Sequence, residues 1–101
     1  MIELRAFRGT RRRSVYRAHS LEQARLRRIR AVATLLDLPL LRSIDPETTS
    51  TLDRRDARRL AEETSRLRVS GELLDLDEDL AAIATLARWC QHDRAGWMTI
   101  S

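Results

Sequence analysis

Apolar and polar positions alternate at the start of the chain: in IELRAF, Ile2, Leu4 and Ala6 oppose Glu3, Arg5 and Phe7. That is the period of a half-buried strand. Gly9 and Thr10 supply a turn, and RRRSVYRA carries Val15 and Tyr16 into a second strand. The segment therefore predicts a β-hairpin with Arg residues at its tip and along its second strand. From Ser20 the period lengthens. Leu21, Ala24, Leu26, Ile29, Val32, Ala33, Leu35 and Leu36 fill one broad arc of a helix over roughly 21–37, with Arg27, Arg30 and Thr34 opposite. Pro39 stops it. Two residues break the pattern, since Arg25 and Arg28 fall inside the apolar arc.

Residues 38–53 read as a connector, with an extended piece at 50–52. A second helix follows over 54–68, capped by Asp53 with Asp56 at its third position. Its apolar seam is narrow (Ala57, Leu60, Ala61, Thr64, Leu67), and Gly71 ends it. A third helix over 78–92 is apolar around most of its circumference, which marks it as central. WMTIS alternates again and predicts a strand that joins the hairpin. The expected fold is α+β: one domain spanning 1–101, a small antiparallel sheet of N-terminal hairpin plus C-terminal strand, and about three helices packed on it.

Composition adds limits. The 101 residues are 43% hydrophobic, ordinary for one globular domain. No apolar run is long enough to cross a membrane, and the start of the chain lacks the apolar region of a secretory signal. Cys90 is the lone cysteine, which leaves no internal disulfide and no thiolate metal cluster. A cytoplasmic setting is expected. All 19 basic residues are Arg, and Lys and Asn are both missing. Such usage points to the GC-rich genome of a bacterium or its phage, so the number of Arg residues says little by itself. Their distribution says more. Residues 1–43 hold 11 Arg against 3 acids, a net +8, while 44–101 hold 8 Arg against 12 acids, a net −4. The charge is polarised along the chain.

The familiar catalytic signatures are missing: no phosphate-binding Gly loop, no G-x-S-x-G, no H-E-x-x-H and no C-x-x-C. Cys90 and His92 stand two apart on one helix and point away from each other; Cys90 reads as a small core residue. The run Glu72, Asp75, Asp77, Glu78, Asp79 lacks the offsets and internal Gly of a Ca²⁺ loop, and reads as helix capping plus solvated charge. Neither a metal nor a cofactor is expected.

The candidate binding residues are Arg5, Arg8, Arg11, Arg12, Arg13, Tyr16 and Arg17 of the hairpin, with Arg25 and Arg28 of the first helix. Arg11–Arg13 on a strand would point alternately to both faces and could straddle a phosphate backbone, with Phe7 and Tyr16 as stacking partners. Arg25 and Arg28 have three readings: an overhanging wet first turn, ion pairs with acids of the second half, or an interface with embedded Arg. The surplus apolar residues Leu36, Leu38, Leu40, Leu41 and Ile44 either close the core or form a binding patch. The first expectation is a non-catalytic binding, adaptor or inhibitor protein that meets a protein partner through its polarised surface. A homodimer, basic half against acidic half, would follow the same logic. The alternative is nucleic-acid binding by the Arg-rich hairpin.

Overall fold

The computed structural model describes residues 1–8, 15–45, 47–92 and 96–101, and the side chains of Arg8, Val15 and Tyr16 lie outside that description. Its order is β1 (Ile2–Arg8), β2 (Val15–Leu21), α1 (Gln23–Leu35), α2 (Pro39–Ser43), β3 (Ser50–Leu52), α3 (Arg54–Ser70), a short 3₁₀ turn (Leu74–Leu76), α4 (Asp77–His92) and β4 (Gly96–Ile100). The fold is α+β, as the periodicities require: one antiparallel sheet in the order β2-β1-β4-β3, with four helices among the described residues.

Alternation sorts the strands into two faces. Ile2, Leu4 and Ala6 of β1, Leu21 of β2, Leu52 of β3 and Met98 and Ile100 of β4 are all buried and join the helices in one core. Their neighbours Glu3, Arg5 and Phe7 look the other way, as do Trp97 and Thr99. On that second face the Phe7 and Trp97 rings, paired in register, stack with centroids 4.3 Å apart. Phe7 is thus occupied by a cross-strand neighbour and is not a free platform for a base. The register of β1 and β2 slips between Ala6 and Phe7. Tyr16 is the extra residue of this β-bulge, and beyond it Arg17, His19 and Leu21 fall on the helix side.

The buried stripe of α1 is narrower than its apolar arc: only Leu26, Ile29 and Ala33 are buried, Leu36 is partly exposed and Leu35 is 84% exposed. Arg30, expected on the wet side, has a buried Nε without a hydrogen-bond partner among the described residues. Asp37, in the left-handed region at φ 56°, turns the chain out of α1. The extended piece expected in the connector is a strand, and two elements add to the expected three strands and three helices. Residues 50–52 are the fourth strand, paired with β4. Residues 39–43 form a helix that Pro39 opens, and it buries Leu38, Leu41 and Ile44 in the core.

That short helix has no cap of its own. Instead, Glu63 of α3, only 7% exposed, accepts the Leu40 N–H at 3.1 Å and the Leu41 N–H at 3.0 Å. One carboxylate satisfies two donors that a helix start leaves orphaned. Helix α3 itself begins with a reciprocal box: Asp56 N–H donates to Asp53 at 2.9 Å and Asp53 N–H to Asp56 at 3.4 Å. It ends at Gly71, whose φ of 73° is left-handed. Glu63→Ala should orphan both α2 donors and lower stability by about 2 kcal/mol or more, and Glu63→Gln, with one acceptor oxygen, by roughly half as much. Urea unfolding measures both, and wild-type midpoints in the two variants would show that α2 does not depend on Glu63.

Candidate functional site

The two Arg residues that break the α1 arc meet two Asp residues of the second half. Arg28 is bidentate on Asp75, with Nη1 and Nη2 donating at 2.6 and 3.0 Å. Arg25 Nη1 donates to Asp79 Oδ2 at 2.7 Å, and the other oxygen, Oδ1, lies 2.9 Å from His19 Nε2 of β2. Of the three readings of these Arg residues, the ion-paired one describes the geometry, and the wet first turn is also real because Arg25 stays about half exposed (46%). Arg68 similarly holds Asp77, at 3.0 and 3.3 Å. The acidic run is therefore largely taken up by Arg partners, beyond the capping and solvation expected of it. The sequence did carry a sign of this. Arg25 and Arg28 stand one turn apart within an apolar arc, and Asp75 and Asp79 stand four apart at the start of an apolar helix.

Asp79 is 8% exposed and lies in the first turn of α4. Burial pushes its carboxyl upward, but hydrogen bonds and charge from Arg25 and His19 outweigh that and hold it below the ordinary 3.8. Beside it, between β2 and α4, is a cavity of about 280 Å³ lined by Arg17, Ala18, His19, Ala82, Thr85 and Leu86.

Of the hairpin candidates, the two whose side chains are described, Arg5 and Arg17, lie on opposite faces of the sheet. Arg5 lies on the open face of the sheet, paired with Glu3 at 2.6 Å, whereas Arg17 lies on the helix side of the edge strand. Arg8 closes β1 opposite Gly96, and Tyr16 is the bulged residue of β2. Arg11, Arg12 and Arg13 lie outside the described residues.

A second basic surface lies in the half whose net charge is negative. Residues 54–59 hold four Arg and one acid, and that acid, Asp56, belongs to the capping box. Because β3 runs into α3 and α4 runs into β4, the start of α3 and the end of α4 share one end of the sheet. Arg54 Nε donates to the Gln91 carbonyl across them at 3.2 Å. Between them is a groove of about 370 Å³ whose described lining residues are Arg54, Arg55, Arg58, Gln91 and His92, with no carboxylate and no apolar residue among them. Arg58 also reaches Glu62 at 3.4 Å in a well-exposed pair, too weak to hold it in place. The strand residues flanking the Arg11–Arg13 segment, Arg8 and Val15, lie at this same end. Averaging over the half concealed this block, although RRDARR is plain in the sequence.

Among the described residues, no group of three or more His, Cys, Asp or Glu is placed to hold a metal ion, and no helix is long and apolar enough to cross a membrane. Cys90 is buried, with Sγ 3.4 Å from the Trp97 carbonyl oxygen. Comparison with protein-family models, curated proteins and solved structures finds no match to this chain.

The depressed Asp79 carboxyl fixes a pH dependence. Folding favours its deprotonated form, so its stabilisation is present above the unfolded value of 3.8 and is lost as pH falls through the lower folded value. Relative to Asp79→Asn, the wild-type protein should be more stable by about 1 kcal/mol near neutrality. That margin should close as pH falls below about 4. Urea unfolding of both proteins from neutral to acid pH measures it, and a margin flat with pH would contradict the assignment.

Proposed function

We propose that this chain is a non-catalytic intracellular binding protein, of the adaptor or inhibitor kind, whose basic end receives an acidic macromolecular partner. The observation that carries this reading is the groove between α3 and α4, whose described lining residues are three Arg residues, Gln91 and His92. The disposition of the acids supports it: Asp75, Asp77 and Asp79 are engaged by Arg28, Arg68 and Arg25, so the acids at the start of α4 are largely neutralised inside the chain. Among the described residues at the α3–α4 end, Arg54, Arg55, Arg58 and Arg59 outnumber Asp53 and Asp56. Arg suits such a surface because it stays charged and offers a planar fork to carboxylates and phosphates. The reduced, buried Cys90 fits an intracellular setting.

Chromatography on immobilised heparin tests the reading. The protein should stay bound at low salt and elute at or above physiological ionic strength, about 0.15 M. Arg55→Gln/Arg58→Gln should elute clearly earlier. Passage through the column at low salt, or identical elution of the two proteins, would sink the proposal.

A further inference from the structure

We infer that the α3–α4 groove binds the phosphate backbone of a nucleic acid, with Arg54, Arg55 and Arg58 as the phosphate contacts. This rests on the basic-end reading above and names its partner. The chemistry of the lining selects between the two acidic macromolecules that such a surface could meet. Protein interfaces concentrate their affinity in aromatic and aliphatic anchors seated in dry pockets, and the described residues that line this groove are all polar or charged. A polar groove rich in guanidinium groups is what a phosphodiester chain requires, since half to two-thirds of protein–DNA hydrogen bonds go to phosphate and sugar.

The arrangement of the three Arg residues fits a linear polyanion. Arg54 and Arg58 are one helical turn apart, about 6 Å along α3, close to the spacing of successive phosphates. Arg55 stands beside them on the exposed side. Arg54 spends its Nε on the Gln91 carbonyl, a bond that steers the head of the side chain toward α4 and leaves the terminal nitrogens to donate. Across the groove, Gln91 and His92 add groups able to bond sugar and phosphate oxygens. Three phosphate contacts imply a binding constant that falls with salt at a log–log slope of about −2.7 on duplex DNA, and more steeply if other Arg residues of this end take part. None of the described lining residues presents a fixed pair of groups to a base edge, so binding is insensitive to sequence.

Fluorescence anisotropy of a labelled 20-base-pair duplex, titrated with the full chain at about 50 and 200 mM salt, tests this, with labelled polyglutamate of similar charge as the protein-like probe. The duplex should bind, and its affinity should fall by about 40-fold or more between the two salt concentrations. For Arg55→Gln/Arg58→Gln the slope should shrink by about 1.8 units, leaving a fall of only about 4-fold from the remaining groove contact. Arg66→Gln, two turns further along α3, should shift the slope far less, and circular dichroism melting should show all three proteins folded alike. Duplex binding that is indifferent to the double substitution, or as sensitive to Arg66→Gln, would overturn the inference. Polyglutamate bound in preference to the duplex would overturn it too while leaving the basic-end reading standing. Failure to bind either probe would remove both.

Discussion

One carboxylate ties both α1 and β2 to the start of α4. Asp79 opens α4, lies almost out of solvent, and takes Arg25 from α1 on one oxygen and His19 from β2 on the other. Its place in the first turn of α4 adds the favourable end of a helix dipole. The sheet alone fixes β2 only through β1, because β2 is an edge strand. Asp79 gives that edge a second attachment, directly to the helical layer, and sets α1 against the start of α4. Asp75 and Arg28 repeat the link one turn along. The exposed Arg28–Asp75 pair adds little stability by itself; together the two pairs fix where α1 lies along the start of α4.

The same economy governs α2. Five residues are too few to make a helix on propensity, and Leu38 offers no cap. The helix exists because Glu63 reaches from α3 to its first free N–H groups and because Leu38 and Leu41 are buried beneath it. In both places a buried acid from a later helix organises an earlier segment.

This explains which parts of the structure were legible in the sequence. The antiparallel β1–β2 pair, the three long helices, the C-terminal strand, the Asp53 cap and the Gly71 stop are local patterns, and each is present; the turn expected at Gly9 and Thr10 lies outside the described residues. Residues 50–52 could be marked as extended, but their place beside β4 could not, since three residues carry no pairing information. The α2 helix was illegible because its cap is 23 positions away. The width of the α1 arc was overstated, since periodicity shows which side of a helix is apolar and not how far along it the neighbours extend; Leu35 projects past them. The groove on α3 was missed for a different reason. Charge summed over half a chain describes no surface, whereas four Arg residues within one and a half turns do.

The ladder between β1 and β4 has a mechanical meaning. Glu3 and Ser101 exchange backbone hydrogen bonds, the Glu3 N–H donating at 2.7 Å and the Ser101 N–H at 3.1 Å, so both ends of the described chain leave the sheet side by side in its middle. The bonds of an antiparallel ladder lie across the strands. Tension applied through the two ends would therefore peel β1 from β4 one rung at a time, as a zip opens, instead of shearing all the rungs together. It would also split the sheet at its centre, between β1 and β4. Under load, the domain would come apart at its most buried seam while its edges were still paired.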